Sequence, residues 1–346
     1  SAGPVGDHIL QIDMANHFYE ATGIKSVLVL KNPNSFLNDL YLPYKENIKQ
    51  FGFTGLSGIF KMSLLSLQSI YKKNVFIMFF PIPLPIYLRV YFFFIKYLTR
   101  SRVIGMNLEG SKSFPLGRGY AYYFGKENTI QMFAEPFTAS ANRLLELLGY
   151  RSVNWIPKLN YIPNKEILEK FNVIKNNYLI MHLPASHTFR SLPEDRWNKI
   201  IVDVFSKIEG VEIIFSGAKV DKSFIESCLD GIDKKRYKMA LGLKAQDLLN
   251  IYANARVSIT VQTGNGLIIN MLHIPTVIVN IKGTTMFDYS FNKNAIDLHS
   301  TKDCICNPFE TECNMINYKG KEYMACLFNI KDEDIVDSIL SKYNEQ

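Results

Sequence analysis

The stretch VSITVQTGNGLIINMLHIPTVIVNIKG, Val257–Gly283, reads as strand, turn, helix and strand. Val257–Val261 and Thr276–Ile281 are short, rich in β-branched residues and scarcely alternating, the pattern of parallel strands buried on both faces. Such strands occupy the middle of an α/β domain. Between them Gln262-Thr263-Gly264-Asn265-Gly266 forms a turn at the carboxyl end of the first strand. Ligands of open α/β sheets bind at that edge, where helix N-terminal amides face the crevice. Two readings follow: a phosphate or sugar site, or a structural turn that uses glycine for backbone freedom.

Outward from this unit, the second half of the chain repeats the pattern. It runs through strand Tyr178–His182, a loop to Leu192, helix Pro193–Ile208, strand Val211–Ser216, and helices Asp221–Leu229 and Ala245–Ala253. A last helix covers Asp332–Lys342. Pro193 followed by Glu194 and Asp195 is a good helix start, since the acids complement the amino-terminal dipole.

The first half opens as a loop, Ser1–Asp7, that runs straight into a helix, Ile9–Thr22, closed by Gly23. An α/β domain places a strand before such a loop, so a strand upstream of Ser1 is expected. Strand Ser26–Leu30, a polar loop at Asn32–Asn34, a helical region from Gly55 to Tyr71, strand Val75–Phe80, helix Ile86–Thr99 and strand Val103–Ile104 follow. Gly105–Thr138 reads as a long loop beside a cleft. Ser140–Leu148 reads as the helix that closes the domain, and Trp155–Asn172, with a short helix Lys165–Phe171, as the linker.

The expected architecture is therefore α/β, with two Rossmann-like domains facing each other across a cleft. Residues 1–165 form the first, 173–330 the second, and 331–346 a terminal helix that packs back on the first.

With 346 residues, 47% hydrophobic and 21% charged, the chain can bury two ordinary cores. Its net charge of +7 is spread without basic blocks. That suits an anionic or phosphorylated partner, and no motif speaks for nucleic acid. Ser1–Asp7 is not a secretory signal. Val75–Leu98 is the most membrane-like stretch, but Pro81, Pro83, Pro85, Arg89 and Lys96 break it. The aromatic run Tyr91–Phe94 reads either as core or as a contact with a membrane surface. The odd number of cysteines, five, does not form a secreted disulfide framework. A reducing cytoplasm is expected, with peripheral contact on the inner membrane face as the extension of that reading.

Chemistry concentrates in two places. The loop from His182 to Leu192 carries Ser186, Thr188 and Arg190 between a strand and a helix start. Hydroxyls, amides and a guanidinium there can cradle a diphosphate, or the hydroxyls can simply cap the helix. His182 and His187 are acid–base groups or hydrogen-bonded neighbours. Cys304, Cys306, Cys313 and Cys326 lie within about two dozen residues, and four thiolates can hold zinc or iron tetrahedrally or stand as free or loosely paired thiols. Any such metal is structural, and Cys228 reads as a small buried apolar residue.

In their order these features resemble the heptosyltransferase family of GT-B glycosyltransferases. The resemblance rests on Gly6-Asp7, the Asn142–Gly149 helix, His182–Trp197, Ser216-Gly217-Ala218, Thr263-Gly264, Ile274–Val277 and the Cys304–Ile330 tail. It covers nearly the whole chain through short motifs. It implies that Asp7 is the general base of an inverting transfer of heptose from ADP-heptose to a lipopolysaccharide core sugar. It also implies that Arg190 stands where the family has a phosphate-holding Lys and that Ser186 binds phosphate. Asp221 would reach the nucleoside, and Gln262, Thr263 and Gly264 the donor sugar or ribose. No cofactor is required for the transfer. Asp7 also fits a helix N-cap and Asp221 a capping residue.

The family's Asp-x-Gly-x-x-His turn is here Gln262 to Leu267, without the acid or the histidine. That departure keeps three alternatives open: transfer of heptose to a protein hydroxyl of an adhesin, a weakened nucleotide-sugar-binding protein, and an epimerase of the same architecture.

Overall fold

The computed structural model describes residues 5–31, 35–53, 75–78, 102–107, 129–131, 142–143, 145–151, 155–185, 187–281, 289–300 and 314–345. In the first half these form α1 (Val5–Thr22), β1 (Ser26–Lys31), α2 (Ser35–Leu40), β2 (Ile48–Phe53), β3 (Val75–Met78), β4 (Arg102–Asn107) and β5 (Thr129–Gln131). β1 pairs in parallel with β2, and β3, β4 and β5 pair in parallel in that order. The helices expected at 55–71 and 86–99, and the aromatic run 91–94, lie outside the described residues.

The second half contains α3 (Glu166–Lys170), β6 (Tyr178–His182), α4 (Glu194–Lys207), β7 (Glu212–Gly217), α5 (Lys222–Cys228) and β8 (Tyr237–Leu241). After them come α6 (Ala245–Ala253), β9 (Val257–Val261), α7 (Gly264–Met271), β10 (Thr276–Val279) and β11 (Ala295–Leu298). A hairpin of β12 (Met315–Tyr318) and β13 (Lys321–Met324), α8 (Ala325–Phe328) and α9 (Asp332–Asn344) complete it.

Six strands make one parallel sheet in the order β11-β10-β9-β6-β7-β8. All five residues of β6 and all five of β9 are buried. Side chains of a strand alternate between faces, and β6 sorts its residues accordingly. Tyr178 and Ile180 enter the core beneath α6 and α7, while Leu179 and Met181 enter the one beneath α4, α5 and α9.

The core beneath α6 and α7 also takes in Ile9, Leu10 and Ile12 of α1 and Leu37 and Leu40 of α2. The two halves of the chain are thus joined by packing α1 on α7 and α2 on α6. α1 buries polar residues as well as apolar ones, His8, Gln11, Asp13 and Asn16 among them. A helix covered on most sides is a structural centre, and the buried polar groups need partners there.

Segment 155–164 supplies those of Asp13 and bonds other elements as well, so the expected linker is a strap fastened along its length. Trp155 Nε1 and the Lys158 amide donate to Asp13 Oδ2 at 3.0 and 3.2 Å. His273 Nε2 lies 2.8 Å from the Pro157 carbonyl, and the Leu159 amide donates to the Met271 carbonyl at 2.9 Å. The Asn160 amide donates to Tyr44 Oη, the Ile162 amide to Gln246 Oε1 and the Asn164 amide to Asn250 Oδ1. Gln246 is tied in turn to Asp39 of α2.

Three expectations change. Among the described residues α9 packs on α4 and the second sheet, where packing on the first domain was expected. Its Ile335, Val336 and Ile339 join the core beneath α4, and Arg196 of α4 grips Asp332 and the Phe328 and Ile330 carbonyls. α1 begins at Val5, so Asp7 lies in its first turn and not in a preceding loop. The long loop at 105–138 contains the end of β4 and all of β5. The polar loop expected at 32–34 lies outside the described residues; after it comes α2, whose Leu37 and Leu40 are fully buried.

Burial pushes the Asp13 carboxyl up to about 8, against the opposing pull of its two N–H donors. The folded chain therefore keeps the proton to higher pH than the unfolded chain. Stability from this group is complete below the ordinary carboxyl range and is lost as pH rises from about 4 towards 8. We expect wild type to lose about 1.4 kcal/mol per pH unit relative to Asp13→Asn across that window. Denaturant unfolding of both proteins between pH 5 and 8 checks it, and a pH-independent difference would contradict it.

Candidate functional site

The order of the six strands reverses between β6 and β9, because the chain leaves β6 towards β7 and β8 on one side and returns through β9 to β10 and β11 on the other. Connections diverge at that point and leave a crevice at the carboxyl ends of the two strands. The segments that emerge there are the loop after His182 and the turn Gln262–Gly266. These are the two stretches singled out from the sequence.

The loop after β6 is held from both sides. Ser191 Oγ donates to the Leu183 carbonyl at 2.8 Å, and Trp197 Nε1 donates to the same hydroxyl at 3.1 Å. Trp197 is fully buried in α4, so the loop is anchored to the core. Inside this frame Thr188–Arg190 forms a 3-10 turn, the Arg190 amide donates to the His187 carbonyl, and the His187 ring stacks on Phe189. The Arg190 guanidinium stands 5.9 Å from the Phe189 ring centre. It makes no ion pair among the described residues, and its buried Nε has no hydrogen-bond partner. A half-buried cation left unpaired is costly, because it has shed water without gaining a partner. Ser186 lies outside the described residues.

At the second segment Thr263 caps α7, its Oγ1 accepting from the Gly266 amide at 3.0 Å. Gln262 is buried and Gly264 opens the helix. Gly266 is the position where a side chain cannot fit: a Cβ there would lie 2.7 Å from the Val261 carbonyl oxygen and 3.0 Å from Thr260 Oγ1.

A buried polar chain links the two segments. His182 Nδ1 lies 3.1 Å from the Ser216 carbonyl and 3.2 Å from Ser216 Oγ, which also accepts from Tyr252 Oη at 2.9 Å. His182 Nε2 lies 3.3 Å from Asn265 Nδ2. Burial holds the His182 ring well below its ordinary range, at about 4, so it is neutral at neutral pH. The ring braces β6, β7 and α7. Its stabilising contribution is whole above the ordinary histidine range and is lost as pH falls towards 4. Ser191 and Tyr252 escaped the sequence reading, and Ser216 and Asn265 stood there only as members of short motifs with no role of their own, since isolated Ser, Tyr and Asn carry no pattern until the fold assembles them.

Asp7 comes from the other half of the chain. It lies in the first turn of α1, the helix that packs on α7. Asp221 closes its own turn: its Oδ2 accepts from the Ala218 amide at 2.6 Å and covers Gly217. A surface cavity lined by Asn172, Asn177, Glu212 and Lys235 lies at the amino edge of the sheet, the opposite side from these residues.

Cys304, Cys306 and Cys313 lie outside the described residues, and Cys326 is fully buried in α8. Among the described residues no group of three or more His, Cys, Asp or Glu could hold a metal ion. Among them also, no helix is long and apolar enough to cross a membrane.

Gly266→Ala is expected to cost about 1–3 kcal/mol, because the Val261 carbonyl is backbone and cannot step aside. The shift it forces moves the α7 turn, so thermal stability and ligand affinity should fall together. An alanine variant with the wild-type melting temperature would show that the close approach is not a constraint.

No family model and no curated protein matches the chain. Solved structures do resemble it. ADP-heptose lipopolysaccharide heptosyltransferase II of E. coli superposes with a TM-score of 0.67 at 10% identity, over 99% of this chain and 96% of that one. The E. coli heptosyltransferase WaaC, solved with ADP-2-deoxy-2-fluoro heptose, gives 0.58 at 12% identity over 99% and 97%. The iron-containing dodecameric glycosyltransferase TibC of enterotoxigenic E. coli gives 0.53 at 12% identity, over 100% of this chain and 74% of that one. At such identities the likeness speaks for the fold. The chain has the GT-B fold, an α/β architecture that it shares with the heptosyltransferases.

Proposed function

We propose that the protein is an inverting glycosyltransferase that moves heptose from ADP-heptose to a lipopolysaccharide core sugar. The observation that carries this reading is the unpaired Arg190 on an anchored loop at the strand-order reversal, where α7 also opens. Arg190, the Ser186 and Thr188 hydroxyls and the α7 amides would take the diphosphate as its bond to the sugar breaks. Asp7 would take the proton of the acceptor hydroxyl while that oxygen attacks the anomeric carbon from the opposite face. Gln262, Thr263 and Gly264 would contact the donor sugar or ribose, and Asp221, through the oxygen left over from its turn, the nucleoside. The donor is suggested by the heptosyltransferases that share the fold. The setting would be the cytoplasm, with or without peripheral contact on the inner membrane face.

Asp7→Asn is expected to lower turnover by about 100- to 10,000-fold with ADP affinity retained. Arg190→Ala should weaken ADP binding by about 10- to 100-fold, the worth of a charge-assisted hydrogen bond. Incubation with ADP-heptose and core oligosaccharide or adhesin acceptors, read by mass, tests the activity and separates the two acceptor classes. Near-full turnover in Asp7→Asn would remove that residue as the base. ADP-heptose binding without transfer to any acceptor would favour the binding-protein alternative, and conversion of the sugar nucleotide itself the epimerase.

A second proposal concerns the cysteines: Cys304, Cys306, Cys313 and Cys326 would hold one structural zinc or iron ion away from the reacting sugar. Its support is the donor set itself, the iron-containing TibC of the same fold, and the hairpin of β12 and β13. There the Ala325 amide, beside Cys326, donates to the carbonyl of Asn314, beside Cys313, at 2.9 Å. Thiolate ligation would order a segment poor in apolar residues and couple metal binding to its folding. Elemental analysis of protein purified without metal-affinity resin should find about one metal per chain, reduced in Cys313→Ser. No metal, together with reactive thiols in the folded protein, would overturn it.

A further inference from the structure

His182 and Asn265 form a pair whose hydrogen-bond polarity can be worked out, and it decides what Asn265 offers to a ligand. His182 Nδ1 faces the Ser216 carbonyl at 3.1 Å, and a carbonyl oxygen only accepts, so the ring proton is on Nδ1. The ring is buried beyond reach of bulk water and among neutral partners, Ser216, Tyr252 and Asn265, so it carries one proton and not two. Nε2 is then a bare acceptor. The Asn265 atom 3.3 Å away must be the amide nitrogen, and the Asn265 carbonyl oxygen is turned from the brace. Asn265 is only partly buried, and Oδ1 has no partner among the described residues. An amide that could present either end to solvent is thereby fixed with its acceptor outward, on the first turn of α7.

We infer that Asn265 Oδ1 is a ligand-binding acceptor, oriented by His182, that receives a hydrogen bond from a hydroxyl of the nucleotide sugar. This rests on the donor reading proposed above. It also bears on the turn Gln262–Leu267, which lacks a carboxylate: a side-chain oxygen three positions on, fixed in direction by a buried histidine, provides an acceptor on the same helix turn. The hydroxyl belongs either to the ribose or to the transferred sugar. Both present the same chemistry to Oδ1. Ser216 and Tyr252 act one step further away, holding the imidazole rather than touching the ligand.

The test is calorimetric titration of the full chain with ADP and with ADP-heptose, for wild type, Asn265→Ala, Asn265→Asp and Arg190→Ala. Asn265→Ala removes the acceptor and should weaken binding about tenfold, the worth of one net hydrogen bond. Asn265→Asp keeps an acceptor oxygen and should bind within a few-fold of wild type. A role confined to bracing His182 would not produce that rescue, since a carboxylate cannot donate to Nε2. Loss with ADP-heptose alone assigns the hydroxyl to the transferred sugar, and loss with both ligands assigns it to the ribose. If Asn265→Ala binds both like wild type while Arg190→Ala weakens both, Asn265 is no ligand contact and the donor reading stands. If Asn265→Asp is as weak as Asn265→Ala, the residue acts through the brace and the inference fails. Wild type that binds neither ligand removes the donor reading and this inference with it.

Discussion

The parallel pairing of β6 with β9, in register from Leu179↔Val257 to His182↔Thr260, is the constraint on which the rest depends. Both strands are buried on both faces, so no polar substitution on either would be repaid by water. Once they are neighbours, the remaining strands must add outward in opposite directions, and the crevice at their carboxyl ends follows from connectivity. The loop after His182 and the turn after Val261 are then adjacent although about eighty residues separate them in sequence. The buried chain from Tyr252 through Ser216 and His182 to Asn265 is the side-chain counterpart of that pairing, and its members satisfy one another.

The second constraint is how the first half of the chain is held against the second. Apolar packing of α1 on α7 supplies burial but little direction, because contact between apolar surfaces is non-directional. The strap at 155–164 supplies the direction through bonds that each demand one partner: Asp13 to Trp155 and Lys158, Met271 to Leu159, His273 to Pro157. Breaking any of these leaves a buried polar group without a partner, which is a larger penalty than the net gain of forming it. The arrangement therefore sets how α1 sits on α7.

The two constraints together distribute order unevenly around the crevice. Ser191, Trp197 and His182 are satisfied inside the protein, while Arg190 Nε and Asn265 Oδ1 are not among the described residues. Internal saturation of the supports and open valence at the tips is the arrangement that limits the entropy lost when a polar ligand binds, since supports already ordered need not be ordered again. In the hairpin of β12 and β13, Tyr318, Lys319 and Lys321 engage Asp195 and Glu194 at the start of α4, beside the same loop. Those exposed pairs are individually worth little, because water screens them, and act on the position of the hairpin more than on overall stability.

Strand and helix identity in the second half was legible because its elements carry their own burial: Tyr178–His182, Val257–Val261 and the helix 245–253 are written in apolar periodicity. Both turns of the site were legible for the same reason, as polar interruptions between apolar runs. β8 and β11 were missed because an edge strand buries less and is permitted polar residues such as Lys238 and Asp297. α9 was assigned to the wrong partner, since an apolar helix face states that it is buried and not against what. The sequence by itself thus determined the central strands and the main helices of the second half, where the chain turns between them, and which residue types stand at those turns. Only the tertiary structure decided that the apparent linker is a strap, that Asp13 is buried with Trp155, and that Asn265 answers to His182. These are pairings between distant residues with no local signature, and the packing of α1, α7 and the central strands is what selects them.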